Sequence, residues 1–158
     1  MKLMYSRPIL RDLSQGSRIA FVRQFRGMTQ DEISGLLGAT GANRRRTMTR
    51  YEKGDRTPNV SRTKKISELL DISYEAIKQY NYKEPIDLIY TLLWLEELIP
   101  NYHFDLSEVS TGDEVFLNIL KTFVSEWDAI RKKRSRREIK YSDYIEWKIT
   151  YSLGDRDE

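Results

Sequence analysis

Apolar residues along the chain recur at helical intervals almost throughout, so the sequence predicts an all-helical protein. Ile19, Val22 and Phe25 lie three apart, which predicts an amphipathic helix over residues 17–26, ended by Gly27. Thr29-Gln30-Asp31-Glu32 has the form of a capping box, with Thr29 and Glu32 satisfying free backbone N–H groups at a second helix start. Ile33, Leu36 and Leu37 give that helix its buried face, and Gly38 stops it. Residues 39–42, all small, form a loop.

A third helix is predicted over 43–53, with Met48 and Tyr51 turned inward and Gly54 closing it. A turn at 55–59 leads into a fourth helix over 60–70, which buries Ile66, Leu69 and Leu70. Ser73 caps a short fifth helix that runs through Gln79 and is packed by Ile77.

Residues 80–85 read as a boundary between two domains, at 1–80 and 84–153. Beyond it, residues 86–99 are apolar on nearly all sides, so that helix needs cover from other elements or from a partner. Residues 101–111 read as irregular, with a short extended piece at 102–106. Val115, Phe116, Ile119, Leu120, Phe123, Val124, Trp127 and Ile130 predict one long helix over 113–133. A last helix, 142–151, places Tyr144, Trp147 and Tyr151 on one face, and the tail at 154–158 is expected to be disordered.

Charge divides the chain at the same boundary. Residues 1–80 hold 16 Lys/Arg and 8 Asp/Glu, net +8; residues 81–158 hold 11 and 16, net −5. A basic half joined to an acidic half suggests a polyanion binder attached to something with a different task. The chain has no cysteine and one histidine, His103, so thiolate chemistry is excluded and no metal cluster is supported. Nothing pairs a nucleophile with a base and no glycine-rich phosphate loop occurs, so no enzyme and no cofactor is expected. No signal peptide and no apolar run of membrane-spanning length is apparent, which makes a cytoplasmic protein the expectation.

The residues of the first half go further than their layout. Gly27-Met28-Thr29-Gln30-Asp31-Glu32-Ile33, Leu36-Leu37-Gly38, Met48-Thr49-Arg50-Tyr51-Glu52-Lys53-Gly54, Thr57-Pro58 and the stretch from Ile66 to Ser73 together resemble the phage-repressor (Xre/Cro-like) helix-turn-helix family. The resemblance implies a five-helix, lambda-repressor-like domain followed by a smaller helical C-terminal domain. It also implies roles for individual residues. Arg45, Arg46, Thr49 and Arg50 match base-facing positions. Gln30, Asn43, Arg44, Thr47, Lys53 and Arg56 match places suited to phosphate contact, and Arg23 with Glu52 matches an ion pair tying the first helix to the third.

Physical chemistry supports a recognition helix there, because arginine donates two hydrogen bonds to guanine O6 and N7 in the major groove. The three successive arginines 44–46 cannot all face one groove floor, since neighbours on a helix are about 100° apart. Gly38 and Met48 are separated by nine residues, Ala39 to Thr47, more than the family has. Which of the three arginines reads bases is therefore left open.

In the second half, Ile89 to Leu95, Phe123 to Trp127 and Tyr144 to Ile149 resemble the C-terminal part of Xre-type regulators from Gram-positive bacteria and their mobile elements. Its apolar surface suggests dimerisation, with Leu92, Trp94, Leu95, Phe123, Trp127 and Trp147 as candidate interface residues. The aromatic face of the last helix reads as core or interface, or else as a base-stacking platform. The basic run 131–140 reads either as added phosphate contacts or as a solvated helix end. Two functions follow. One is a homodimeric, sequence-specific repressor on double-stranded DNA with a palindromic operator. The other is an inhibitor of the antitoxin or anti-CRISPR type, whose C-terminal half binds a partner protein while its helix-turn-helix autoregulates its own promoter.

Overall fold

In a computed structural model that describes residues 7–99 and 112–154, the described chain consists of eight helices and no strand. These are α1 (Gln15–Phe25), α2 (Gln30–Leu36), α3 (Arg46–Lys53), α4 (Val60–Leu70), α5 (Tyr74–Ile77), α6 (Pro85–Leu98), α7 (Glu114–Ser135) and α8 (Tyr141–Ile149). They divide into two compact units, Met1–Gln79 and Tyr80–Glu158. The fold is thus all-α: five N-terminal helices of helix-turn-helix layout and a smaller C-terminal bundle. His103, the extended piece at 102–106 and most of the tail lie outside the described residues.

Local chemistry sets half of the helix starts. Ser14 accepts from Ser17 N at 3.3 Å, Asn59 from Arg62 N at 2.7 Å, and Asp113 from Phe116 N at 3.0 Å, each satisfying a first-turn donor. At α2 both arms of the capping box form: Glu32 N donates to Thr29 Oγ1 at 3.1 Å and Thr29 N to the Glu32 carboxylate at 3.0 Å.

The first unit closes around Ile19, Val22, Ile33, Met48, Ile66 and Ile77, all fully buried. Gly16 allows α1 to pack on α3, because a Cβ there would sit 2.4 Å from the Tyr51 carbonyl oxygen. Arginines then tie helix ends together. Arg18, itself buried, donates to the carbonyls of Ala76 and Lys78, each at 2.9 Å, at the end of α5. Arg26 donates to those of Leu70 and Asp71 at 2.7 and 2.9 Å, at the end of α4, and Arg62 to that of Leu37 at 2.9 Å. Such bonds satisfy carbonyls that a helix leaves without an internal partner.

The second unit packs α6 on α7 and α7 on α8. Phe123 stacks on Trp127 with centroids 5.3 Å apart, and Tyr90 Oη donates to the Tyr151 carbonyl at 2.6 Å. Asp87, fully buried, accepts the N–H groups of Asn81 and Tyr82 at 3.0 and 3.1 Å and so fixes the approach to α6. A polar cluster joins the three helices. Lys148 Nζ lies 2.5 Å from Glu96 and 2.8 Å from Glu97, with its side chain only 4% exposed. Glu96 also takes Arg131 Nε at 3.1 Å and the Tyr144 hydroxyl, which in turn accepts from Trp127 Nε1 at 3.0 Å. Burial, and then the bond to Glu96, raises the Tyr144 hydroxyl above the ordinary tyrosine range.

Four expectations need correction. Leu36, read as part of the buried face of α2, is 56% exposed, and Ile33 and Ser34 are the buried residues there. The third helix starts at Arg46, not at residue 43, and α5 ends at Ile77 rather than Gln79. Leu92, Trp94, Phe123 and Trp127 are buried in the second unit's own core, and Leu95 and Trp147 are half-buried. Packing of α6, α7 and α8 on one another covers Leu92, Trp94, Phe123 and Trp127, while Leu95 and Trp147 keep part of their surface open.

Candidate nucleic-acid interface

The interface is built from α2, the turn after it, and α3. The turn begins where α2 ends: Ala39 N donates to Ser34 O and Gly38 N to Gly35 O, each at 3.0 Å, with Gly38 at φ 95°. This closure needs a left-handed residue, which glycine adopts without a steric cost. Residues 42–45 then form successive tight turns, with Arg44 N bonded to Gly41 O at 3.4 Å and Arg46 N to Asn43 O at 3.0 Å. These i to i+3 bonds occupy the residues that sequence periodicity assigned to the helix.

Two contacts hold α3 in place. Arg45, the residue before it, supplies no side-chain cap. Met48 N in its first turn donates instead to the buried Ser34 Oγ of α2 at 3.2 Å, so the cap comes from the neighbouring helix. Arg44 forms a two-pronged pair with Asp31, Nε at 2.9 Å and Nη2 at 2.7 Å, which lies over Gly35. The guanidinium holds the Asp31 carboxyl below the ordinary carboxylate range.

The buried side of α3 carries Met48, Tyr51 and Glu52. Glu52 is the centre of a polar chain. Arg23 clasps it with Nε at 2.5 Å and Nη2 at 3.2 Å, and Gln30 Nε2 donates to it at 2.6 Å. Gln30 Oε1 lies 3.0 Å from Thr49 Oγ1, whose hydroxyl also reaches Arg45 O at 3.2 Å. Both carboxylate oxygens of Glu52 are therefore bonded, which is what a carboxylate at 8% side-chain exposure requires.

The opposite side is cationic and open. Arg46, Thr49, Arg50 and Lys53 fall at i, i+3, i+4 and i+7, one face of the helix. Arg46, Arg50 and Lys53 are exposed and Thr49 is half-buried. Arg45 and Asn43, in the turn, are exposed, as is Arg56, whose N–H bonds Arg50 O at 3.2 Å. Thr47 is half-buried. Arg44 differs from the rest, because its charge is already engaged by Asp31. Gln30 likewise has both ends of its amide in the Glu52–Thr49 chain.

Residues 31, 34 and 16 escaped sequence reasoning. Gly16 and the Ser34–Met48 bond act between helices and leave no local pattern. In the sequence Asp31 has no role beyond its place in the capping-box segment. Among the described residues no group of His, Cys, Asp or Glu is arranged to hold a metal, and no helix is long and apolar enough to cross a membrane.

Residues 16–83 match the family model described as a helix-turn-helix domain. No curated protein and no solved structure shows a significant match to the chain. An Xre/Cro-like helix-turn-helix domain of the transcriptional-regulator type is therefore present over residues 16–83. It gives the chain a DNA-binding regulatory role, and domains of this type are non-catalytic.

Proposed function

We propose that the chain is a sequence-specific repressor that binds double-stranded DNA as a homodimer, lays α3 in the major groove of each half of a palindromic operator, and works in the cytoplasm. The exposed Arg46–Thr49–Arg50–Lys53 face, set opposite a fully packed one, carries this reading. Arg46 and Arg50 are the base readers, with Thr49 between them held by Gln30. Lys53, at the end of that face, and Arg45, Asn43, Thr47 and Arg56, which flank it, meet phosphates. Arg44 positions the turn.

Pairing of two copies follows from footprint. One such helix spans only a few base pairs, and two-fold dimers reading half-sites about one helical turn apart gain both affinity and selectivity. The residues that join the copies are not those of the second unit's core.

Selection of bound fragments from random duplexes tests the proposal. A two-fold symmetric product whose half-sites contain guanine is expected. Selection that yields no preferred sequence, or binding indifferent to salt between low and moderate concentrations, overturns it.

A further inference from the structure

The run 131–140 sets seven cations against one acid, Glu138, inside a half of the chain whose net charge is −5. The structure sorts these cations into two sets. Arg131 pairs with Glu96 at 3.1 Å and lies over the Trp127 ring at 4.7 Å, while Arg134 lies over the Tyr141 ring at 5.2 Å. Lys132 is balanced by Asp128 at 2.9 Å. Lys133, Arg136, Arg137 and Lys140 remain, all exposed, and none forms an ion pair among the described residues.

The end of α7 carries three of these, and Lys140 stands just before α8. Glu138 N donates to Lys133 O at 2.9 Å and Arg137 N to Arg134 O at 3.0 Å, the paired closure of a helix end, with Arg137 at φ 60°. That backbone position favours glycine, and a side chain there is strained. Neutralising the helix dipole accounts for cations in the last turn, Lys133 among them. It does not account for Lys140 beyond the helix, nor for an arginine at the strained site. A strained residue without a packing role points to function.

We infer that Lys133, Arg136, Arg137 and Lys140 form a second polyanion-binding surface, which takes the phosphodiester backbone of duplex DNA. The inference rests on the proposed DNA reading by α3, since a chain already held on DNA presents its second cationic cluster to phosphates at high effective concentration. An acidic protein partner fits less well. Protein interfaces have an apolar centre, and the only apolar residue in this stretch beyond α7 is the half-buried Ile139.

The test uses the full chain, with affinity for the selected operator and for a scrambled duplex measured against salt, and with thermal melting alongside. In the variant combining Lys133→Gln, Arg136→Gln, Arg137→Gln and Lys140→Gln, the salt slope is expected to shrink by about 2–4, at ~0.9 per lost phosphate contact, equally on both duplexes. Slopes unchanged on both overturn the inference while leaving the α3 reading intact. Wild-type protein that binds neither duplex sinks both. Arg137→Gly separates strain from binding: melting is expected to rise by a few degrees while the slope falls by about one contact. A rise in melting with an unchanged slope removes Arg137 from the surface.

Discussion

Both units divide their cations between engaged and open sets, but the engaged ones meet different partners. In the first, arginines reach helix-end carbonyls or one buried carboxylate, and a further set on α3 is left facing solvent. In the second, Lys148 and Arg131 lie among Glu96, Glu97 and the rings of Trp127 and Tyr144, so their charge is spent inside the fold. Counting basic residues does not separate these uses. What separates them is whether the fold already supplies an anion. A cation with a buried partner reports on stability, whereas a row of exposed cations backed by a packed face reports on a ligand.

The largest effect expected from this contrast lies in the second unit. Lys148→Met leaves two carboxylates without their buried cation, and breaking such a pair costs about 3–5 kcal/mol. Denaturant titration of the full chain is the measurement. A loss well under 1 kcal/mol would show that water reaches the cluster, and the contrast between the units would fail.

Gly16→Ala comes next. The added Cβ meets backbone oxygens at 2.4 and 2.5 Å, which no side-chain movement relieves, so α1 and α3 must separate. Overpacking of this kind costs about 1–3 kcal/mol. Because α3 is displaced, DNA affinity should fall along with melting temperature. An alanine variant with unaltered melting would contradict the packing described.

Arg50→Ala reverses the pattern. On the proposed reading Arg50 reads a guanine, and its loss removes about 1–3 kcal/mol of discrimination at a single base pair. Melting should stay where it is, because Arg50 is exposed and the packed face of α3 is untouched. Equal affinity and equal base preference in a competition assay would move base reading off this face.

Ser34→Ala measures a smaller quantity, the cap supplied across the turn. Removing the acceptor for Met48 N at a buried site costs about 1 kcal/mol. The cost should appear in melting and, through loosened α3, in DNA affinity. An unchanged melting temperature would mean that Met48 N finds another acceptor.

Those two helices also show what a single sequence reveals. The start of α2 was legible because its capping residues, Thr29 and Glu32, are three apart and meet wherever that helix forms. The start of α3 was not. Its cap is Ser34, 14 residues before Met48, and the turn that brings them together is itself held by Arg44 on Asp31. The exposed face of α3 was legible from spacing and resemblance together. The second unit misled for a related reason. Apolar helices at 86–99 and 113–133 looked under-covered one at a time, and only their mutual packing, closed by the Glu96–Lys148 cluster, shows where that surface goes.

The smallest effect tests whether Arg44 belongs with the spent cations or with the open ones. Its pair with Asp31 is near half exposed on both sides, so Asp31→Asn should hardly move melting at neutral pH. The pair has a defined pH window. The folded Asp31 carboxyl lies below its usual 3.8, so whatever the pair contributes is present above that value and is lost as pH falls through the lower folded one. On DNA the variant should be more telling. Freed from Asp31, Arg44 can reach a phosphate, and the salt slope steepens by up to ~0.9. At the same time the turn loses its anchor, so base preference at the position proposed for Arg46 should relax. A variant that keeps both the wild-type slope and the wild-type preference would show that the clasp is a solvated contact and that the turn is held by its backbone bonds alone.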